Sequence, residues 1–109
     1  KKLPITLPHI DKNKISSMHL YIIKLDEKFT KKNRDSFIKI LRKKGIGANV
    51  HYIPIHFQPY FKKLGFKKGM FPESEKFFER AISLPIHPKI TKKELLKITK
   101  AIKSLFIDE

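Results

Sequence analysis

The sequence predicts an α+β fold, a two-layer sandwich in which a small three-stranded sheet is covered on one face by helices. Two observations carry this. Strand-type and helix-type apolar stretches alternate along the chain, with Gly or Pro between them and no internal repeat. With 109 residues there is room for one modest core, because a chain of this size buries about two-thirds of the surface it exposes when unfolded.

The opening, Lys1 to Ser17, holds Pro4, Pro8 and the aperiodic polar stretch Asp11-Lys12-Asn13-Lys14, and reads as an extended lead-in. The domain proper is expected over 18–109. His19 to Leu25 is β-branched, aromatic and apolar on both faces near its centre, which predicts a mostly buried strand. Asn33 caps a helix with Asp35 in its first turn and Phe37, Ile38 and Leu41 at helical spacing, and Gly45 stops it. Ala48 to Ile53 reads as a second strand that Pro54 ends. The Pro- and aromatic-rich stretch from Ile55 to Phe61 follows, with one helical turn before Gly65, and Lys67-Lys68-Gly69 is a loop. Pro72 suits the first position of a helix that has Glu73 and Glu75 near its positive end and Phe77, Phe78, Ala81 and Ile82 on one face. Ser83 to Ile86 is the third strand. Thr91-Lys92-Lys93-Glu94 spells a capping box, after which Leu95, Ile98, Ile102 and Leu105 mark one helical face to the chain end.

The formal charge is +15, from 25 Lys plus Arg against 10 Asp plus Glu. A basic surface gains counterion-release energy on phosphates, so a small nucleic-acid-binding or interaction domain is the alternative reading. The distribution argues against it. Arginine is confined to Arg34, Arg42 and Arg80, although base and phosphate recognition favours its planar fork, and the lysines sit as scattered pairs beside apolar stripes. Stacking on single-stranded RNA needs paired strand aromatics, and Tyr21 and Tyr52 are the only strand tyrosines expected. No apolar run reaches the length of a bilayer span or resembles a signal peptide, and there is no cysteine, so a cytoplasmic protein that engages neither membrane nor nucleic acid is expected.

Polar groups concentrate between Asn49 and Gln58. Strand alternation would put Asn49 and His51 on one face and Val50 and Tyr52 on the other, with His56 leaning over a cleft where the chain leaves the sheet. Donors and acceptors with little charge suit sugar hydroxyls or a carbonyl; equally, His51 and Tyr52 are ordinary half-buried strand residues satisfied by backbone. The histidines match no common zinc spacing. There is no nucleophile elbow, phosphate loop or dinucleotide fingerprint, and Glu73, Glu75 and Glu79 fall at helix-start or exposed positions. The residues describe a substrate-facing module without its own catalytic centre.

The run from Gly45 to Tyr60, GIGANVHYIPIHFQPY, together with Leu64-Gly65-Phe66, Ala81-Ile82-Ser83-Leu84-Pro85 and Ser17-Met18-His19-Leu20-Tyr21, closely resembles the C-terminal part of the DegT/DnrJ/EryC1/StrS family of sugar aminotransferases. The likeness spans about residues 16 to 106, and within the family it is greatest to the UDP-4-amino-4,6-dideoxy-N-acetyl-β-L-altrosamine transaminase branch of pseudaminic acid synthesis. The resemblance implies the small C-terminal domain of a fold-type-I, pyridoxal-phosphate-dependent homodimer. Glutamate is then the amino donor and a UDP-linked 4-keto-6-deoxy sugar the acceptor. The Schiff-base lysine and the cofactor contacts are implied to lie in a missing large N-terminal domain, leaving this segment inert alone, with no cofactor or metal of its own. By the same resemblance Asn49, His51, Tyr52 and His56 are the substrate-side or cleft-supporting residues, His56 foremost.

Overall fold

The computed structural model describes residues 2–26, 28 and 32–107. Lys31 and the last two residues of the expected C-terminal helix lie outside them. Three strands, β1 (Ile5–Thr6), β2 (Tyr21–Leu25) and β3 (Ala81–Leu84), form one antiparallel sheet in the order β1-β2-β3. Among the described residues four α-helices accompany it: α1 (Arg34–Lys43), α2 (Pro59–Lys63), α3 (Pro72–Arg80) and α4 (Lys92–Ser104), with a 3-10 turn at Ile55–Phe57.

The caps form as their residue types dictate. Asn33 Oδ1 accepts from Ser36 N at 2.9 Å, and Thr91 and Glu94 close the capping box, with Thr91 N donating to Glu94 Oε2 at 2.7 Å and Glu94 N to Thr91 Oγ1 at 3.2 Å. At the end of α1, Gly45 takes φ +75°, a conformation in which a Cβ is strained. Phe37, Ile38 and Leu41 of α1 and Ala101, Ile102 and Leu105 at the end of α4 share a single core with Ile23, Leu25 and Ile82 of the sheet. Since side chains alternate along a strand, Ser83 and its cross-strand partner Ile22 belong to the sheet's opposite face.

Four expectations are corrected. Ala48 to Ile53 is not a strand: only Asn49 bridges to Ser83. The reason is local competition, since Asn49 Oδ1 takes the Val50 N–H at 2.9 Å and Arg42 Nε takes the Ala48 carbonyl at 2.9 Å, removing groups a ladder would use. The third strand of the sheet comes instead from the lead-in, where Ile5–Thr6 pairs with Leu25 and Lys24 at the edge; Pro4 and Pro8 keep it to two residues. Helix α3 ends at Arg80, and Ala81 and Ile82, expected on its apolar face, open β3 because Lys24 and Ile23 of β2 pair with them. Phe77 and Leu95, expected on buried helical faces, are exposed.

Candidate functional site

Ser83 joins the Asn49–Tyr52 segment to the free edge of β3. It is 3 % exposed, its N donates to the Asn49 carbonyl at 2.8 Å and its carbonyl accepts from Asn49 N at 3.1 Å. Its hydroxyl lies 2.8 Å from His51 Nδ1. A single strand residue thus fixes both the backbone at Asn49 and the ring of His51. Tyr52 stands 71 % exposed, its ring edge-on to that of His51 with centroids 4.6 Å apart. The two rings therefore share one side, contrary to the alternation a strand would impose. Asn49 is exposed, its Oδ1 accepting from Val50 N.

His56 is placed differently. Pro54 starts a 3-10 turn that folds His56 inwards to 5 % exposure. Its ring packs against Phe57 and Phe71, with centroids 4.5 and 4.9 Å away, and its Nε2 lies 2.8 Å from Glu75 Oε1. The same oxygen accepts from Gly69 N at 2.6 Å. Glu75, expected on an exposed helix face, is buried at 7 %. The hydrogen bond from His56, helped by the Gly69 N–H, holds its carboxyl below the ordinary 4.5 although desolvation pushes it up. A signal for this was present in the sequence, for Phe71, Glu75 and Phe78 stand at i, i+4 and i+7. A carboxylate inside an apolar stripe requires a buried partner.

The structure thus brings Asn49, His51 and Tyr52 together around Ser83 and sets His56 in a neighbouring aromatic pocket tied to α3. In the same stretch and in α2 and its C-cap, Ile53, Ile55, Tyr60 and Leu64 are all more than half exposed. No group of three or more His, Asp or Glu suited to a metal ion occurs among the described residues.

The described residues do not by themselves fit pyridoxal phosphate. Its aldehyde needs a desolvated amine and its phosphate an array of free N–H donors. The described lysines are exposed apart from the half-buried Lys24 of β2, the N-termini of α1 and α4 are already capped by Asn33 and by the Thr91–Glu94 box, and the uncapped α3 opens on Pro72, which has no N–H, with the repelling carboxylates Glu73 and Glu75 in its first turn.

A model of the DegT/DnrJ/EryC1/StrS aminotransferase family matches residues 1–103. MJ1066, an uncharacterised protein of Methanocaldococcus jannaschii, is 41% identical over 99 residues, which are 90% of this chain and 26% of that protein. Among solved structures, the putative sugar aminotransferase Spr1654 from Streptococcus pneumoniae in its PMP form superposes with a TM-score of 0.83 at 32% identity, covering 94% of this chain and 26% of that one. Helicobacter pylori PseC, an aminotransferase involved in the biosynthesis of pseudoaminic acid, superposes with a TM-score of 0.77 at 30% identity over 86% of this chain and 25% of its own. The chain spans about a quarter of the length of these relatives.

Proposed function

The chain belongs to the DegT/DnrJ/EryC1/StrS aminotransferase family, and from that premise we propose that it forms the sugar-facing C-terminal domain of a pyridoxal-phosphate-dependent nucleotide-sugar aminotransferase. The observation that carries the reading is the clamp at Ser83, which holds the Asn49–Tyr52 segment at the β3 edge of the sheet, in a stretch that also exposes aromatic and aliphatic side chains. Uncharged donors and acceptors next to apolar surface suit a sugar ring, whose hydroxyls seek hydrogen bonds and whose C–H faces seek contact.

In this proposal Asn49, His51, Tyr52 and His56 are the substrate-side or cleft-supporting residues, with His56 foremost in touching the sugar nucleotide. The cofactor supplies the electron sink when bound, held by a lysine and a phosphate site elsewhere in the homodimeric enzyme. Glutamate is the amino donor and a UDP-linked 4-keto-6-deoxy sugar the acceptor, giving an amino sugar for surface polysaccharide or glycan synthesis. The likeness to PseC supports the altrosamine transaminase branch as the specific assignment.

The test is to incubate the full-length protein with pyridoxal phosphate, glutamate and a UDP-4-keto-6-deoxy-N-acetylhexosamine, then analyse the products by mass spectrometry. The expected products are 2-oxoglutarate and a nucleotide sugar in which the keto oxygen has become an amino group. Unchanged substrates, with other keto sugar nucleotides equally inert, would refute the proposal.

A further inference from the structure

Glu75 stands outside the polar segment in sequence, yet through one carboxylate oxygen it meets both His56 Nε2 and Gly69 N. An ionised carboxylate only accepts hydrogen bonds. Facing that carboxylate, the neutral form of the His56 ring carries its proton on Nε2, and in that form Nδ1 keeps a free lone pair. No hydrogen bond joins Nδ1 to another described residue, and no buried side-chain nitrogen or oxygen lacks a partner among them. Nδ1 accordingly reaches solvent even though the ring is almost wholly enclosed. His56 also lines a cavity of about 330 Å³, together with Ile55, Phe61, Phe66, Phe71 and Ser74.

We propose that Glu75 is the positioning residue of the site, fixing the tautomer and orientation of His56 so that Nδ1 is presented as a hydrogen-bond acceptor for a hydroxyl of the sugar substrate. This rests on the reading that the chain faces a sugar nucleotide. Phe57 and Phe71 fix the plane of the ring and Glu75 fixes which nitrogen is the acceptor. By also holding Gly69 N, Glu75 ties the 3-10 turn to the loop before α3, so ring and cavity wall move as one unit.

The experiment compares the full-length wild type with Glu75→Gln, His56→Gln and the double variant. Imidazole nitrogen resonances of histidine-labelled protein should show His56 protonated on Nε2 in the wild type and a tautomer mixture in Glu75→Gln, whose amide can turn to offer either a donor or an acceptor. The KM for the sugar nucleotide should rise about fivefold in Glu75→Gln, the worth of one neutral hydrogen bond, with kcat little changed. In the His56→Gln background Glu75→Gln should add nothing, because Glu75 acts through His56. A wild-type His56 protonated on Nδ1, or a Glu75→Gln effect undiminished in the His56→Gln background, would overturn the proposal, as would wild-type tautomer and KM in Glu75→Gln. If the wild type transfers no amino group, the sugar reading fails separately, and the tautomer measurement still decides whether Glu75 controls His56.

Discussion

Ser83→Ala removes one oxygen and nothing else from the clamp. The backbone pairs between Ser83 and Asn49, at 2.8 and 3.1 Å, remain, so the bridge stays and the loss falls on His51. A neutral hydrogen bond is worth about 1 kcal/mol net, and a half-buried ring nitrogen left unpaired adds part of a desolvation cost of about 1–3 kcal/mol. The expected destabilisation is therefore about 1–2 kcal/mol. Urea unfolding of the purified chain, followed by far-UV circular dichroism, reads this as a fall in midpoint of about 1–2 M for a slope near ~1 kcal/mol/M. The same substitution in a His51→Phe background, where the ring has no nitrogen to lose, should cost less by at least about 0.5 kcal/mol. An unchanged midpoint, or the same loss in both backgrounds, would refute the claim that Ser83 holds the site through His51.

Phe37→Ala should cost about 3–5 kcal/mol, since Phe37 is fully buried against the sheet with Phe106 at 5.6 Å, whereas Phe77→Ala, at an exposed position, should stay below about 1 kcal/mol; equal urea midpoints for the two variants would contradict the observed faces of α1 and α3. Glu75 titrates below its ordinary 4.5 in the folded protein, so the unfolded chain binds the extra proton: the contribution is complete above the ordinary value and is lost as pH falls through the folded one. Unfolding measured from neutral pH down to about pH 3 should thus show a larger acid loss in the wild type than in Glu75→Gln, and parallel profiles would contradict it. The exposed side chains of Tyr52, Ile53, Ile55, Tyr60 and Leu64 should make these 109 residues self-associate when purified alone, which light scattering showing a monodisperse monomer at high concentration would disprove.

Elements defined by side-chain period and caps were legible in the sequence. Asn33 and the Thr91–Glu94 box mark the starts of α1 and α4, and Phe37, Ile38, Leu41 and Ile102 mark faces that the core uses. Elements decided by long-range pairing were not. Ile5–Thr6 is too short to have a period, and Ala81 and Ile82 fit helix or strand equally until Lys24 and Ile23 are placed beside them. At the site, the gathering of polar residues between Asn49 and Gln58 was visible, but its geometry was not. Asn49 satisfies its neighbour's backbone and ends the ladder, and His56 turns inwards because a glutamate 19 residues away meets it.

Under the proposed function, this domain serves a glutamate-dependent transfer of nitrogen to a sugar nucleotide. The visible absorbance of the full-length protein loaded with pyridoxal phosphate tests it most directly, first on adding glutamate and then a UDP-4-keto-6-deoxy sugar. A yellow protein that bleaches with glutamate and recovers its colour with the keto sugar is expected; a colourless protein that takes up no cofactor, or a colour indifferent to both additions, would refute the proposed function.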